Sequence, residues 1–485
     1  MLPHATLLLA LVAAERCVEV LSLADVHGHA AELPRLAARM SPIRAGGPSL
    51  LFDAGDSLQG TLAARLSEGE AVVAALGAMG VDAAAIGNHD FDYGAAALRR
   101  RMATASYPFL AANLRDASTG ELPAWKNLYP SRLLRPPGGP VVGVFGLSAR
   151  DTPSLTMPRN VEGLAFLPEA EAAARQAAAL RREGAEVVVG VVHLGGYCTD
   201  LGDPDDLSSC EAGRDLFRLA RSLPPGLVDA LLGGHTHGFV NHRVNGVALV
   251  QAGSRAEAAG WVTLCTGRPA RFHPPIRAAG DGKGGGAPED ARVASAVEPF
   301  LAAARSSLRE PLGVSLPWPL ARDSRGPSPF GVAVAQAVRE ALRTDFALIN
   351  GGSLRTDLAP GALTLGQVYE ALPFEDSLAV VRVRGAALVE LLRALEGAEK
   401  GFPQLAGLRF DGGEARTCDG APLDLNRTYA VGTNEFIASG GDGTQSVLAR
   451  LPPGSLTMRK DLHQRDAFVA WLRRVHGSEP PAACP

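Results

Sequence analysis

The chain has 485 residues and a formal net charge of −4 at neutral pH. This length exceeds one ordinary domain and is sufficient for two hydrophobic cores. The slightly acidic charge balance excludes a basic footprint for polymeric nucleic acid. No stretch reaches the roughly 18 consecutive apolar residues that a membrane-spanning helix requires. Gly and Pro are abundant but follow no repeat, which predicts a loop-rich globular protein.

The amino terminus contains an apolar run that ends in Val-Ala-Ala. Residues 1–14 therefore predict a short secretory signal, cleaved after Ala14. Neither Lys nor Arg precedes the run, so the alternative is a misassigned start codon and a cytoplasmic protein. We expect a periplasmic or secreted protein.

Short apolar runs recur along the first half of the chain, and each is followed by side chains that can bind metals. The runs predict strands of an α/β sheet, although periodicity alone does not exclude buried helices. Ligands of such sheets collect at the carboxyl ends of the strands. The side chains are Asp25 and His27 after VEVLSLA, Asp56 after SLLFDAG, Asn88, His89 and Asp90 after VDAAAIG, His193 after EVVVGVV, and His235 and His237 after VDALLGG.

The spacing and chemistry of this set point to a metal centre. Asp25 and His27 are two residues apart, and side chains at that spacing on a strand point the same way, which predicts that both hold one ion. The set offers carboxylate, amide and imidazole groups but no thiolate. This combination favours Zn, Mn, Fe or Co at a catalytic centre over a Cys-rich structural zinc site.

The motifs DVH, GDSLQG, GNHD and GHTH, together with the isolated His193, resemble those of the calcineurin-like metallophosphoesterases. The rest of the chain resembles the two-domain 5′-nucleotidases. The resemblance implies a two-domain α/β protein. A metallophosphoesterase β-sandwich flanked by helices (αββα) would occupy residues 15–275, and a smaller α/β substrate-binding domain residues 311–485. A Pro- and Gly-rich linker and a connecting helix are expected over residues 276–310.

The resemblance also implies a centre of two divalent transition metals. One metal would be held by Asp25, His27 and His237, and the other by Asn88, His193 and His235, with Asp56 bridging both. Two cations about 3.5–4 Å apart can clamp a phosphoryl group and activate a shared water. The nucleophile would then be a metal-bridging hydroxide and not a protein side chain.

His89 directly follows a ligand and has a separate catalytic role in this family. The resemblance implies that His89 faces the phosphate, where it can stabilise the developing charge or protonate the leaving oxygen. The resemblance implies that Asp90 orients the ring of His89; the alternative is that Asp90 is a plain acid at a helix N-terminus. His29 and His242 match no family role, and a supporting or solvated position is expected for both.

Two cysteines bracket a polar insertion just after His193. A disulfide between Cys198 and Cys210 would close this loop and contribute roughly 3 kcal/mol. Such a bond requires an oxidising compartment; the alternative is two separate surface thiols. The remaining cysteines, Cys17, Cys265, Cys418 and Cys484, cannot be paired from the sequence.

Three motifs of the second domain, NGGSLR, LPFEDSL and NEFIASGGDG, resemble the nucleoside-binding segments of 5′-nucleotidases. The resemblance places Asn350 and Arg355 near the ribose and phosphate, Phe374 and Phe436 on the base, and Asp442 at the sugar hydroxyls. Aromatic faces stack on any base, so they provide affinity with little base preference. Core packing is the alternative for both Phe residues.

The segment ARDSRGPSPFGVAVAQ departs from the family pattern. Val332 stands where Asn is usual, and either Arg322 or Arg325 could face the phosphate; we select Arg325. This departure leaves the preferred nucleotide open.

Together these patterns predict a hydrolase that releases phosphate from nucleoside 5′-monophosphates. Three enzymes of the same scaffold are alternatives: a 2′,3′-cyclic-nucleotide phosphodiesterase with 3′-nucleotidase activity, a nucleotide-sugar hydrolase, and a thiosulfohydrolase, against which the two Phe motifs argue. A non-catalytic nucleotide-binding protein is the alternative of another class. The complete ligand set beside His89 argues against it.

Overall fold

The computed structural model describes residues 15–279, 288–374, 376–398 and 402–475. The predicted signal segment and Cys484 lie outside these residues. Residues 15–279, here called the first domain, contain sixteen strands: β1 Cys17–Leu23, β2 Ser49–Asp53, β3 Ala83–Ala85, β4 Phe109–Leu110, β5 Leu114–Asp116, β6 Leu128–Tyr129, β7 Ser131–Leu134, β8 Val142–Leu147, β9 Leu164–Phe166, β10 Val187–Val192, β11 Ala230–Leu232, β12 Phe239–Val244, β13 Val247–Ala252, β14 Ala258–Cys265, β15 Arg271–Phe272 and β16 Ile276–Arg277.

Two sheets form the centre of the first domain. The first has the order β15-β14-β1-β2-β3-β4-β6, with β16 also paired to β14, and the second has the order β12-β13-β11-β10-β8-β7. Strands β1 to β4 and β6 run parallel, as do β8, β10, β11 and β13. The carboxyl ends of these strands therefore meet at one rim.

Side-chain alternation explains how both faces of the first sheet are buried. On β1, Val18 and Val20 pack into the layer between the sheets, in a cluster that includes Val189 of the second sheet. Leu21 and Leu23 lie in the cluster on the opposite face, beneath helices. Because strand side chains alternate with a period of two, a strand covered on both faces must be apolar almost throughout.

Helices cover the outer faces of both sheets. Helices α1, α3 and α4 pack on the first sheet, and α6 and α7 pack on the second. The predicted αββα arrangement is confirmed. The helices of the first domain are α1 Leu33–Ala45, α2 Leu62–Leu66, α3 Glu70–Met79, α4 Ala95–Thr104, α5 Thr152–Leu155, α6 Glu169–Arg182 and α7 Asp215–Ser222, with 3₁₀ turns at His89–Phe91 and Pro158–Val161.

A single long helix, α8 (Ala291–Leu308), leads from the first domain to the second. It packs against α1, α2 and α3 of the first domain, and Val293 and Val297 are part of the core there. The sheet of the first domain also extends into the predicted linker, because β16 pairs with β14.

The second domain (described residues from 311 to 475) is built on one five-stranded sheet of order β21-β18-β24-β20-β25. Helices α9 and α14 pack on one face, and α11 packs on the other. Its elements are β17 Pro311–Leu316, α9 Pro329–Leu342, β18 Phe346–Asn350, β19 Gly361–Thr364, α10 Leu365–Ala371, β20 Ser377–Arg384, α11 Gly385–Glu396, β21 Pro403–Ala406, β22 Leu408–Asp411, β23 Glu414–Thr417, β24 Thr428–Asn434, α12 Glu435–Ala438, α13 Gln445–Leu448, β25 Leu456–His463 and α14 Gln464–Arg474, with 3₁₀ turns at Gly351–Ser353 and Gly441–Gly443.

Two disulfides link segments of the first domain. Cys198 is bonded to Cys210, which confirms the predicted loop closure, and Cys17 is bonded to Cys265, which joins β1 to β14. Within the described part of the chain, no helix is both long enough and apolar enough to cross a membrane.

Candidate metal centre and substrate cavity

The metal-binding side chains lie on loops that leave five parallel strands at the shared rim. β1 leads to Asp25 and His27, β2 to Asp56, β3 to Asn88, β10 to His193, and β11 to His235 and His237. Asp25, His27, Asp56, His235 and His237 have positive φ angles between +46° and +77°. Non-glycine residues rarely adopt this left-handed region, and such strain is concentrated at functional sites.

This backbone geometry corrects one step of the sequence argument. The sequence predicts that Asp25 and His27 converge because alternate residues of a strand share a face. However, β1 ends at Leu23, and both residues lie beyond it with left-handed backbone angles. They converge because the loop turns sharply after the strand.

One cluster consists of Asp25, His27 and His237, whose candidate ligand atoms all lie within 4.8 Å of one another. The Nε2 atoms of His27 and His237 are 2.9 Å apart. His237 Nε2 is 3.6 Å from Asp25 Oδ1. Asp25 and His27 are buried.

A second cluster contains Asp56, His193 and His235, again within 4.8 Å. The amide oxygen of Asn88 lies 3.1 Å from His193 Nε2 and 3.1 Å from His235 Nδ1. The other ring nitrogen of His193, Nδ1, is 2.9 Å from the carbonyl oxygen of Ala54, so Nε2 is turned toward the cluster.

Asp56 lies between the two clusters. Its Oδ2 is 3.1 Å from His193 Nε2 and 4.0 Å from His27 Nε2. The clusters are also joined by the backbone N–H of His235, which donates to the Asp25 carboxylate at 2.9 Å. Four imidazoles, two carboxylates and one amide therefore converge on a small volume.

The electrostatics of this volume suit cations. Burial opposes ionisation of the Asp56 carboxyl, but the nearby imidazoles of His193 and His89 outweigh it and hold the pKa of Asp56 well below its usual value. Burial also lowers the pKa of His193, yet the Asp56 carboxylate raises it to about 9. The same negative charge that attracts a proton to His193 favours a divalent cation, which would displace that proton, and the carboxylate, imidazole and amide groups form a donor set that fits divalent transition metals.

The surroundings of His89 correct the prediction for Asp90. His89 Nδ1 is 2.7 Å from Oδ2 of Asp92, not of Asp90. Asp90 instead accepts backbone N–H groups of Gly87, Asp56, Ser57 and Leu58 at 2.8–3.1 Å. Asp90 therefore holds the loop that carries Asp56, and Asp92 orients the histidine ring.

The sequence contains a signal for the pairing of Asp92 with His89. Asp92 follows His89 by three residues, and residues at that separation share one face of a helical turn. The structure has a 3₁₀ turn at His89–Phe91, which brings the two side chains together.

Next to the metal-binding clusters lies a cavity of about 800 Å³, lined by both domains. Asp56, Asn88, His89, His235 and His237 line it from the first domain, and Asn350, Arg355, Phe374, Phe436 and Asp442 from the second. Five of the six substrate-binding residues predicted from the sequence therefore line this one cavity. The ring centroids of His89 and Phe374 are 5.7 Å apart.

Arg355 is the cation that approaches the metal-binding side chains from the second domain. Its Nη2 lies 3.3 Å from His27 Nε2. Burial and the positive charge of Arg255 lower the pKa of Arg355 to about 10. A half-buried guanidinium with cationic neighbours is a favourable position for an anionic group of a ligand.

The structure does not bring Arg325 to the cavity. Its side chain is exposed, and its backbone N–H donates to Asp323. Arg322 is also exposed, but its charge acts on Arg255 and Arg355. Neither arginine lines the cavity. Of the two alternatives left open by the sequence, Arg322 is the one whose charge acts on Arg355.

Several cavity residues were not singled out from the sequence. Asp376 is buried, and burial together with the charge of Asp92 raises its pKa to about 7. Thr156 and Arg159 line the cavity from a segment far from any ligand motif. Asp376 belongs to the motif LPFEDSL. No local pattern marks Thr156 and Arg159, because their neighbours in space are distant in the chain.

Comparisons with known proteins agree with this architecture. The calcineurin-like phosphoesterase family profile matches residues 18–239, and the profile of the 5′-nucleotidase C-terminal domain matches residues 317–450. The chain is 25% identical over 446 residues to a 5′-nucleotidase of Vibrio cholerae, covering 82% of this chain and 78% of that protein.

Two further matches differ in what they cover. The endonuclease YhcR of Bacillus subtilis is 25% identical over 465 residues, which is 87% of this chain but only 35% of YhcR, so the chain spans about a third of that relative. The crystal structure of a 5′-nucleotidase precursor from Thermus thermophilus superposes with a TM-score of 0.77 at 24% identity, covering 96% of this chain and 98% of that chain, and supports the fold.

The predicted class, a hydrolase of phosphoric monoesters, is confirmed. The chain belongs to the two-domain 5′-nucleotidase family of calcineurin-like phosphoesterases.

Proposed function

We propose that this protein is a dinuclear-metal-dependent hydrolase that releases phosphate from nucleoside 5′-monophosphates. One observation carries the proposal: a single cavity is lined by metal-binding side chains of the first domain and by Phe374 and Phe436 of the second. A nucleotide has a phosphate at one end and a flat base at the other. The cavity offers a complementary group for each end.

The metal-binding side chains divide naturally into two sites. Asp25, His27 and His237 would hold one divalent cation, and Asn88, His193 and His235 the other, with Asp56 between them. When bound, two such cations polarise a phosphoryl group and supply an activated water. The buried Asp25 and Asp56 carboxylates and the His193 ring, which is oriented by the Ala54 carbonyl, would contribute to the ligand geometry.

His89 is positioned to act on the phosphate or on the leaving group. Its Nδ1 is occupied by Asp92, which leaves Nε2 for the cavity. Although burial lowers the pKa of His89, the Asp92 and Asp56 carboxylates outweigh it and raise the pKa above its usual value. A protonated ring can stabilise negative charge and donate a proton to the departing alkoxide.

The second domain would hold the rest of the nucleotide. Arg355 would contact the phosphate, since it approaches His27 at 3.3 Å. Phe374 and Phe436 would stack on the base, with Asn350 and Asp442 at the sugar. These contacts come from both domains, so substrate entry and product release require the domains to move apart.

The two disulfides support export to an oxidising compartment. Disulfides persist mainly in periplasmic and secreted proteins, and the described part of the chain has two of them. We propose a periplasmic or secreted enzyme that acts on small nucleotides and not on nucleic acid polymers.

A substrate panel with several metals tests the function. Purified enzyme would be stripped by a chelator, reloaded with Zn, Mn, Fe or Co, and assayed for phosphate release from nucleoside 5′-monophosphates, 2′,3′-cyclic nucleotides and nucleotide sugars. We expect 5′-monophosphates to give the highest kcat/KM. A higher value for either other class would assign the protein to that alternative, and nucleotide binding without turnover under any metal would support a binding protein.

A further inference from the structure

Asp92 is held by a second partner that neither the sequence motifs nor the metal centre accounts for. Its Oδ2 faces His89 Nδ1 at 2.7 Å, and its Oδ1 accepts a hydrogen bond from the hydroxyl of Thr156 at 2.9 Å. Both carboxylate oxygens are therefore engaged. A carboxylate held at both oxygens has a fixed plane, and it can present only one orientation to the histidine.

Thr156 is well suited to this task. It is 1% exposed and follows α5, whose carbonyl at Thr152 accepts the Thr156 N–H at 3.1 Å. A β-branched side chain has few χ1 rotamers, so the hydroxyl has little freedom to turn away. Its one proton is committed to Asp92.

The segment that carries Thr156 also contacts the second domain. Arg159 forms an ion pair with Glu435, which directly precedes Phe436, and α5 packs against the 3₁₀ turn at Gly441–Gly443. Asn160 donates to the backbone carbonyl of Asp92 at 3.0 Å. The segment Thr152–Val161 thus lies between the support of His89 and the nucleoside-binding part of the cavity.

We propose that Thr156 is a positioning residue for hydrolysis: its hydroxyl holds Asp92, and through it the His89 ring, in the working orientation, and docking of Thr152–Val161 against the second domain maintains this contact. The inference rests on the proposed function of His89. It adds a residue that acts through Asp92 and His89, and it connects the contact between the domains to the chemical step.

Three substitutions distinguish a positioning role of the Thr156 hydroxyl from a packing role of the Thr156 side chain. Thr156→Val keeps the shape and removes the hydroxyl, and Thr156→Ser restores the hydroxyl. Thr152→Val is the matched control, because Thr152 is equally buried in the same segment but donates to the carbonyl of Ala149. That carbonyl still accepts the Thr152 N–H after the substitution.

We expect Thr156→Val to lower kcat about 5- to 30-fold, less than the roughly 10- to 150-fold that a hydrogen bond to a charged group is worth, because Thr156 acts on the reaction only through Asp92. KM and metal content should change less than about 2-fold, and Thr156→Ser should recover most of kcat. Thr152→Val should match the wild type. Any one of three results would overturn the proposal: Thr156→Val keeps the wild-type kcat, Thr152→Val loses as much kcat as Thr156→Val, or Thr156→Ser recovers none of the lost kcat.

A spectroscopic measurement tests the contact without relying on turnover. In protein labelled with ¹⁵N-histidine, the Nδ1–H signal of His89, assigned by its loss in His89→Ala, should shift in Thr156→Val but not in Thr152→Val. An unshifted signal in Thr156→Val would refute the positioning role. If the wild type releases phosphate from no nucleotide, the proposed function fails, and this measurement still decides whether Thr156 orients the ring.

The domain contact can be tested by a double substitution. Arg159→Gln should lower kcat about 2- to 5-fold at saturating substrate, consistent with a partly exposed ion pair. In the Thr156→Val background the same change should have almost no further effect, because residues of one network are not additive. Equal fold-losses in both backgrounds would show that the ion pair does not act through Thr156.

Discussion

The two halves of the cavity are built in different ways. In the first domain, the ligand side chains stand at the carboxyl ends of parallel strands and are tied down by contacts within that domain, such as His193 to Ala54. In the second domain, Arg355 and Phe374 lie on loops and make contacts across the domain boundary. A rigid metal-binding half thus faces a half that contributes only when the domains meet. Substitutions in the first half should affect chemistry and metal content, whereas those in the second should affect substrate binding.

The largest effect is expected at Asp56, which lies between the two clusters. Asp56→Asn should abolish phosphate release and lower the content of both metals, because the amide carries no charge to hold two cations together. Elemental analysis and phosphate assays measure this outcome. Asp203→Asn, at an exposed acid of the first domain, is the control. A variant that keeps two metals and full turnover would disprove the bridging role.

The next largest effects are expected at His89 and at the two acids near it, and these effects distinguish the role of Asp90 from that of Asp92. His89→Ala should lower kcat by about 10²–10⁴-fold with metals retained, the usual worth of a positioned acid. Asp92→Asn should lower kcat about 10- to 100-fold, because it weakens a hydrogen bond to a charged group. Asp90→Asn should instead lower stability and metal content, since Asp90 accepts backbone N–H groups around Asp56.

The reverse pattern of effects would support the sequence-based prediction that Asp90 orients the His89 ring. If Asp90→Asn lowered kcat with metals and melting temperature unchanged, and Asp92→Asn had no effect, the contact between Asp92 and His89 would not be the one used in catalysis.

A smaller effect, confined to binding, is expected in the second domain. Replacing Phe374 or Phe436 by Ala should raise KM for nucleotides by the equivalent of roughly 1–3 kcal/mol, the worth of stacking one base on an aromatic ring. p-Nitrophenyl phosphate, which has no base, serves as the internal control and should be affected much less. Equal losses on both substrates would indicate that the rings support the second domain's core instead.

The smallest effect is expected on stability at Asp376. Its pKa is raised to about 7 by burial, so the folded protein keeps this proton at pH values where the unfolded chain has lost it. Stability should therefore fall as pH rises from about 4 to 7. Asp376→Asn removes this loss. The melting temperature of the variant minus that of the wild type should therefore be larger at pH 8 than at pH 5, by about 1–4 °C.

A matched control for this measurement is Asp411→Asn, at an exposed acid of the same domain. Its melting temperature relative to the wild type should not change with pH. A constant difference for Asp376→Asn across the same range would show that the carboxyl is ionised in the folded protein at pH 5.

The sequence by itself determined the composition of the metal-binding half, and the resemblance of its motifs to those of the calcineurin-like phosphoesterases implied the αββα architecture. Apolar runs on parallel strands have the same local pattern wherever they occur, and the residues after them must reach one rim. Asp25, Asp56 and His193 were therefore identifiable without a structure. The same logic explains the error at Asp90, because adjacency in the chain does not reveal which acid a short 3₁₀ turn will bring to His89.

Only the tertiary structure decided which side chains meet across long separations. Thr156 reaches Asp92 over 64 residues, and Arg355 reaches His27 over 328. No periodicity or spacing encodes such pairs, because they depend on how loops and whole domains pack. The sequence does not distinguish Arg325 from Arg322 for a related reason: both lie on one loop of suitable composition, and only the packing of that loop within the second domain brings the charge of Arg322 to act on Arg355.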